Sequence, residues 1–253
     1  EKLTIASRLL QQVKVDRIEV ASARTSAGER VATDEISRWA GENGLADRVE
    51  VLGFVDRKAS VDWARSVGIQ VINLLTKGSL LHCREQLRRT PRQHIADIRR
   101  TIDYGTTHGI TFNVYLEDWS GGMRDSPDYV MEHIRAIAGF EVKRIMLCDT
   151  LGILSPSQVR THVAQLTVAF PLSHFDYHGH NDYGLATANT LEAALAGARG
   201  VHATVNGMGE RAGNTPLDEV VVSLRDHGAL RTRVKERALA FIPVGSSDIL
   251  IVT

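Results

Sequence analysis

The sequence predicts an α/β fold, a (β/α)8 TIM barrel from which the first strand is absent. Short β-branched runs alternate with longer amphipathic stretches along the whole chain, a pattern typical of βα units around a parallel sheet. The length of 253 residues is also close to that of one such barrel, about 250 residues. A hydrophobic content of 43% suffices for an ordinary core, so we expect one catalytic domain.

Seven segments have the composition of strands, whereas a closed barrel needs eight. They are residues 15–21, 49–55, 71–75, 111–117, 144–149, 174–178 and 201–206. Eight parallel strands close without an edge, but seven leave a gap. Because the chain opens on a helical pattern at residues 1–13, we interpret the seven as strands 2 to 8 of a barrel spanning residues 1–239. Residues 240–253 match no eighth helix and are predicted to be a tail of uncertain continuity or the start of a C-terminal subdomain.

Helical patterns separate the strands, and the clearest three cover residues 91–108, 127–138 and 156–170. Each begins with proline, which is favoured at the first position of a helix. A hydroxyl side chain precedes each proline, namely Thr90, Ser126 or Ser155, and we expect these side chains to cap the helices.

Side-chain alternation predicts an unusually polar barrel interior. In residues 111–117, the positions of one parity are apolar and are expected to face the helices. The opposite parity there and in the last two strands is polar. These residues are Asn113, Tyr115, Glu117, His174, Asp176, His178, His180, His202, Thr204 and Asn206. So many enclosed polar groups need a ligand, a metal or a hydrogen-bond network.

Composition disfavours several kinds of partner. Lys plus Arg and Asp plus Glu are equal at 30 each, so no net field favours nucleic acid or an anionic membrane. The longest apolar runs are far too short to span a membrane and no cationic leader opens the chain, which predicts a cytoplasmic protein. Cys83 and Cys148 lie far apart, and we expect both to be reduced.

The segment His178-Gly-His180 predicts a metal site at the end of a strand. Its two imidazoles lie two residues apart on one side, where they can chelate a divalent cation. Alternatively, they are an ordinary surface or core pair. Asn214 ends a nearby glycine-rich loop and can add a carbonyl oxygen ligand, or it can cap a helix that starts at Thr215.

The segments from His178 to Ala186 and from Asn206 to Asn214 resemble the signature sequences of a known enzyme family. The family is the metal-dependent barrel that contains the isopropylmalate, homocitrate and citramalate synthases and the hydroxymethylglutaryl-CoA lyases. The resemblance extends to about Leu239 and implies a divalent metal, Zn, Mn or Mg, held by the two histidines, an Asp of the missing first strand and, in several members, the loop asparagine. The glycine loop lacks the cysteine of the lyases, which favours the condensing branch.

The resemblance also implies roles for Thr150 and Glu117, which end neighbouring strands. Thr150 is expected to bind the carboxylate of a 2-oxo acid, and Glu117 to help orient the substrates. From the residues alone, Asp149 and Thr150 can equally cap a turn, and Glu117 can pair with a buried Arg. Glu210, in the glycine loop, is a third candidate catalytic residue.

Substrate size is predicted from three side chains of inward parity, Leu52, Leu75 and Tyr115, with Asn206 as a further candidate substrate-binding residue. In residues 74–79 and 113–119 the chain resembles the citramalate synthases more than the isopropylmalate synthases. A tight apolar wall favours pyruvate, although it discriminates by only about 1 to 3 kcal/mol per group. Alternatively, these side chains are plain core.

The resemblance therefore implies an acyltransferase that condenses acetyl-CoA with pyruvate in isoleucine biosynthesis and functions as a homodimer. In the family, the base that deprotonates the acetyl group comes from a region after the barrel, so residues 1–253 alone are expected to be inactive. Three alternatives stay open: a 2-isopropylmalate synthase of leucine biosynthesis that uses 2-oxoisovalerate, a metal-dependent sugar isomerase or epimerase, and a regulatory or scaffold barrel.

Overall fold

The computed structural model describes residues 1–240 and the short strand Ile251–Val252. Its helices are α1 (Lys2–Arg8), α2 (Ala27–Glu42), α3 (Ala59–Ser66), α4 (Pro91–Thr106), α5 (Trp119–Asp125), α6 (Pro127–Ile137), α7 (Pro156–Ala169), α8 (Ala186–Leu195), α9 (Leu217–Asp226) and α10 (Glu236–Leu239). Its strands are β1 (Ile18–Ser22), β2 (Val49–Phe54), β3 (Val71–Lys77), β4 (Thr111–Glu117), β5 (Val142–Asp149), β6 (Phe175–Gly179), β7 (Gly200–Val201), β8 (Ala203–Thr204) and β9 (Ile251–Val252).

The sheet confirms the predicted α/β barrel with seven parallel strands. From β1 to β7 each strand pairs in parallel with the next, and β7 and β8 are the two halves of the seventh predicted strand. Between β8 and β1, where we expected the missing strand, β9 pairs antiparallel with both neighbours. Of the predicted tail at 240–253, residues 241–250 and 253 lie outside the described residues.

Two predicted strands differ from the structure by more than one or two residues at an end or by an interruption. The strand predicted at 15–21 begins only at Ile18, because the Arg48 guanidinium binds the carbonyls of Val15 and Asp16, at 2.6 Å in each case. The strand predicted at 201–206 is interrupted between β7 and β8 and ends at Thr204. A 3-10 turn follows, in which Asn206 has a φ of 55° that is incompatible with a strand.

The predicted caps are correct at two of three helices. Thr90 and Ser155 each form a capping box, with Gln93 and Gln158 as the reciprocal partners. Ser126 precedes α6 as predicted, but its hydroxyl does not cap that helix. It accepts a hydrogen bond from the Leu80 amide instead and donates one to the Gly122 carbonyl.

The two sides of β4 show how the fold positions the site. Phe112, Val114 and Leu116 are fully buried in the main core, under the surrounding helices. Asn113 and Tyr115 face the barrel interior, where polar side chains replace the usual aliphatic filling. In the described part of the chain, no helix combines the length and apolar character needed to cross a membrane.

Candidate active site

A cavity of about 510 Å³ lies among the C-terminal ends of the strands, where barrel enzymes bind their substrates. All the predicted site residues except Asn206 line it. They are Leu52, Leu75, Tyr115, Glu117, Thr150, His178, His180, Glu210 and Asn214. The fold therefore brings residues from six separate segments of the sequence to one space.

His178 and His180 point toward each other. Their Nε2 atoms are 3.2 Å apart, and both rings line the cavity. Burial lowers the pKa of His178 well below its usual range, and the neighbouring His202 and His180 lower it further. Burial also lowers the pKa of His180, followed by the charge of Arg211. Both imidazoles are therefore neutral near pH 7, the form that binds a metal.

Asn214 presents a free carbonyl oxygen at the same cavity. Its Nδ2 donates to the Met208 carbonyl at 3.3 Å, whereas its Oδ1 is buried and has no hydrogen-bond partner. The alternative that Asn214 caps a helix from Thr215 is wrong, because α9 begins at Leu217 with Pro216 at the capping position. An enclosed acceptor without a donor is costly unless a ligand satisfies it.

These three residues fit a divalent cation as a partial ligand set. Metal–nitrogen bonds of about 2.1 Å, at angles between a right angle and the tetrahedral angle, place two nitrogens about 3.0 to 3.4 Å apart. The 3.2 Å separation of the two Nε2 atoms lies in that range. In the described residues, no three His, Cys, Asp or Glu side chains are grouped to hold a metal. The remaining positions of such an ion therefore need other ligands.

Glu117 and Thr150 occupy the wall formed by the ends of β4 and β5. Glu117 is paired with Lys77, not with the buried Arg of the alternative prediction, and His82 lies 3.9 Å away. The Thr150 hydroxyl accepts a hydrogen bond of 2.8 Å from the Asp118 amide, so its own proton is available to a ligand. The turn after β5 is capped by Asp149, whose carboxylate accepts the Ile153 and Leu154 amides.

The apolar wall of the cavity is separate from the main core. Tyr115 packs with Met146 and Cys148, and the half-buried Leu52 and Leu75 lie against this group. All except Met146 line the cavity. Leu52, Leu75 and Tyr115 therefore belong to the cavity wall and not to the main core, which was the alternative prediction.

Two candidates occupy less enclosed positions than expected. Asn206 is exposed in the turn after β8 and does not line the cavity, because the strand that was to carry it ends two residues earlier. The Glu210 side chain is 75% exposed at the cavity mouth and lies 3.4 Å from Arg211.

The sequence model of the HMGL-like family matches residues 1–242. This chain belongs to the HMGL-like family. Among curated relatives, the (R)-citramalate synthase of Methanocaldococcus jannaschii is 33% identical over 242 residues, covering 94% of this chain and 47% of that protein. The 2-isopropylmalate synthase of Sulfurisphaera tokodaii is 34% identical over 226 residues, covering 89% and 56%. The HMGL-like chain thus spans about half the length of these relatives.

Solved structures show the same fold. The hydroxymethylglutaryl-CoA lyase of Pseudomonas aeruginosa superimposes with a TM-score of 0.81 at 18% identity, covering 98% of this chain and 86% of the lyase. The HMG-CoA lyase of Brucella melitensis gives a TM-score of 0.78 at 20% identity, covering 95% and 87%. At these identities the likeness establishes the barrel of the HMGL-like chain and nothing finer.

Arg211 joins three loops around the cavity and was not singled out from the sequence. Its guanidinium binds both carboxylate oxygens of Asp182, at 2.7 and 2.9 Å, and the Thr150 carbonyl at 2.7 Å. The loops after β5, β6 and β8 are thereby tied together. The hydrogen bonds from Arg211 lower the pKa of Asp182, which keeps this carboxylate charged.

Glu19 is a cavity residue that our sequence reasoning missed. It lies on β1 between Ile18 and Val20, and Asn73 Nδ2 donates to its Oε2 at 2.5 Å. Burial raises the pKa of Glu19 to about 7, and the nearby Glu50 also raises it. The alternation of a charged residue between two apolar ones, Ile18-Glu19-Val20, is the sequence signal for this inward carboxyl.

Proposed function

We propose that this chain is the catalytic barrel of an enzyme that condenses acetyl-CoA with a 2-oxo acid, and that the favoured acid is pyruvate, giving citramalate. The observation that carries the proposal is one cavity that combines the facing imidazoles of His178 and His180, the free Asn214 carbonyl and a small apolar wall. Family membership and relatives named citramalate and 2-isopropylmalate synthase support this class of reaction.

His178, His180 and Asn214 are the residues that would hold a divalent cation. Such an ion, Zn, Mn or Mg, would make the carbonyl carbon of a bound 2-oxo acid more electrophilic. The hydroxyl of Thr150, whose proton is free, would donate a hydrogen bond to the carboxylate of the acid. Glu117, held by Lys77, helps to orient the substrates at the same wall.

Pyruvate is favoured because Leu52, Leu75 and Tyr115 restrict the space beside the imidazoles. A second candidate is 2-oxoisovalerate, the substrate of a 2-isopropylmalate synthase. It is supported by relatives of that name that match this chain at 34% identity, about as closely as the citramalate synthases. Discrimination between the two acids rests on a few carbon atoms, so the ratio of their affinities is the quantity to measure.

Binding is a more direct test than turnover, because the chain spans only about half the length of the synthases that it resembles. Calorimetric titration with Mn²⁺ or Zn²⁺ is expected to show about one ion per chain, and a following titration to show tighter binding of pyruvate than of 2-oxoisovalerate. The double variant His178→Ala/His180→Ala is expected to lose the ion and both acids. His227→Ala, a change of an exposed imidazole, serves as the matched control.

Two outcomes would contradict the proposal. Undiminished ion binding by the double variant would place the metal elsewhere. A folded wild-type chain that binds neither ion nor 2-oxo acid would favour a regulatory or scaffold barrel.

A further inference from the structure

One glycine of the glycine-rich loop, Gly209, lies directly against the side chain of Asn214 and lines the same cavity. A Cβ atom on residue 209 would lie 2.5 Å from Asn214 Nδ2, 2.8 Å from its Cγ and 3.1 Å from its Oδ1. Non-bonded carbon atoms normally stay about 3.5 to 4.0 Å apart. The Asn214 amide therefore fits where it does because residue 209 has no side chain.

The backbone of Asn214 is held in place by other contacts. The Asn181 amide donates to the Gly213 carbonyl, and the Asn214 amide donates to the Gly207 carbonyl, both at 2.9 Å. His180 and Asn214 also form an isolated antiparallel bridge. These contacts tie the end of the loop to the strand end that carries the two imidazoles. Rotation of the Asn214 side chain is then the main freedom left to its carbonyl oxygen.

Two contacts restrict that rotation. Asn214 Nδ2 donates to the Met208 carbonyl at 3.3 Å, and the amide lies against Gly209. In this orientation Oδ1 is buried without a hydrogen-bond partner among the described residues, in a residue that is only 6% exposed. Leaving a buried acceptor unsatisfied costs free energy, which a bound cation would offset. The orientation of the amide is therefore the one expected of a metal ligand.

We propose that Gly209 is a positioning residue, whose missing side chain leaves the space in which Asn214 presents its carbonyl oxygen to a divalent cation. The proposal rests on the proposed function, in which His178, His180 and Asn214 hold that ion. Gly209 acts through Asn214 and supplies no ligand atom in this role.

An alanine at residue 209 is expected to move the Asn214 side chain without unfolding the loop. The φ of Gly209 is not positive, so its backbone conformation suits alanine. The atoms that the methyl group would meet belong to the end of a side chain, which can rotate away from Met208. Gly213 differs, because its φ is 90° and a Cβ atom there would lie 2.1 Å from the Gly207 carbonyl oxygen. Substitution of Gly209 thus tests ligand position separately from loop structure.

Calorimetric titration of the full chain with Mn²⁺ tests the proposal in Gly209→Ala, Asn214→Ala and the double variant. In Gly209→Ala the affinity is expected to fall about tenfold, as for other changes that misorient a metal ligand. In the Asn214→Ala background the same methyl group is expected to have no further effect, because the three atoms that it displaces are gone. The matched control is Gly41→Ala in α2, where a Cβ atom meets nothing within 4 Å, and it is expected to keep the wild-type affinity.

A second measurement needs no ion. Proton–nitrogen correlation NMR of the metal-free chain identifies the Asn214 side-chain amide by its loss in Asn214→Ala. The proton donated to Met208 is expected to be protected from exchange in the wild type and in Gly41→Ala. In Gly209→Ala we expect the amide signals to shift and to exchange faster. If the wild-type chain bound no Mn²⁺, the proposed function would fail, and this measurement would still decide whether Gly209 positions Asn214.

Three results would overturn the proposal. They are a wild-type Mn²⁺ affinity in Gly209→Ala, an equal loss caused by the methyl group with and without the Asn214 amide, and unchanged Asn214 amide signals in Gly209→Ala. If Gly209→Ala alone does not fold, the double variant is expected to fold, because the close contact with the amide is absent. A double variant that also fails to fold would contradict the role assigned to Gly209.

Discussion

Two buried imidazoles, His94 and His133, stack with their ring centroids 5.4 Å apart. His94 Nε2 accepts the Lys77 amide at 3.1 Å, which fixes the end of β3 beside Glu117. Burial lowers the pKa of His94 to about 4 and that of His133 to about 3. The charge of Lys77 also lowers the pKa of His94, and a charge on His94 would lower that of His133. Both rings are therefore neutral in the folded chain over most of the accessible pH range.

Acid is expected to destabilise the chain through these two histidines. The unfolded chain takes up their protons near pH 6.5, whereas the folded chain does not until about pH 4 for His94 and about pH 3 for His133. The contribution of these two histidines to the free energy of unfolding is therefore complete above pH 6.5. It decreases as the pH drops below that value, by up to about 1.4 kcal/mol per pH unit for each histidine.

Urea unfolding of His133→Phe at pH 7, 6 and 5 checks this expectation, and a shallower loss of unfolding free energy than in the wild type is expected. His227→Phe, which changes an exposed imidazole, serves as the control and keeps the wild-type slope. Equal slopes in all three proteins would show that His133 does not contribute.

Leu75 is a single side chain on which the choice of 2-oxo acid is expected to depend. It is half-buried in the apolar wall with Tyr115 and lines the cavity. Leu75→Ala is expected to raise the affinity for 2-oxoisovalerate relative to pyruvate by about 10- to 100-fold, because the wall loses three carbon atoms. Calorimetry with both acids measures the ratio, and Leu81→Ala, at a position 61% exposed, is the control. An unchanged ratio would remove Leu75 from the specificity wall.

The sequence was sufficient to predict residues that form a short local pattern. It was not sufficient for residues whose role depends on contacts with neighbouring strands. His178 and His180 were predictable because a two-residue spacing on a strand places both on one side. Glu19 was not, because its importance comes from the hydrogen bond with Asn73, which is 54 residues away in the sequence. Asn206 was placed wrongly, because a left-handed residue after β8 ends the pleat on which the parity argument depended.

At the scale of elements, the helices and parallel strands were predictable from periodicity, and the loops that shape the site were not. The bidentate pairing of Arg211 with Asp182 joins the loops after β8 and β6, and its contact with Thr150 adds the loop after β5. Such a clamp joins the Arg211 side chain to a carboxylate 29 residues away and to a backbone carbonyl 61 residues away, and it leaves no period in the sequence.

Removal of this clamp is expected to weaken metal binding without unfolding the barrel. Arg211→Ala releases the loop that carries Asn214, so we expect the affinity for Mn²⁺ to fall about tenfold, as for other changes next to metal ligands. Calorimetry measures the affinity, and circular dichroism checks the fold. The matched control is Arg225→Ala, whose partners Asp226 and Glu236 belong to the region of α9 and α10. A wild-type affinity in Arg211→Ala would show that the loop holds its position without the clamp.

At the scale of the whole molecule, the barrel is filled in part by charge. Arg144 is 5% exposed and pairs with both Glu50 and Asp176, which are 2% and 0% exposed. Asn113 accepts a hydrogen bond from the Arg144 guanidinium, and Asn73 donates one to the Glu50 carboxylate. The polar residues at inward-facing strand positions predicted that a ligand, a metal or a hydrogen-bond network was needed. Around Arg144 the structure shows a hydrogen-bond network. The cluster connects β2, β5 and β6 at the end of the barrel opposite the cavity.

Loss of Arg144 is expected to destabilise the whole barrel, because it leaves the enclosed Asp176 without an arginine partner and Glu50 with only the partly exposed Arg17, 3.5 Å away. Arg144→Met keeps most of the side-chain volume, so the expected loss of about 3 to 5 kcal/mol in unfolding free energy reflects charge more than packing. Urea unfolding at pH 7 measures it as a lower midpoint at constant slope. The control is Arg100→Met, because the Arg100 side chain is 57% exposed and paired with Asp97. This variant is expected to lose no more than about 1 kcal/mol in unfolding free energy.

A second comparison separates the buried charge from the shape of the cluster. In the triple variant Glu50→Met/Arg144→Met/Asp176→Leu no uncompensated carboxylate is left, so stability is expected to recover part of the loss caused by Arg144→Met alone. If Arg144→Met were no more destabilising than Arg100→Met, the two carboxylates would have to be satisfied by protons or water.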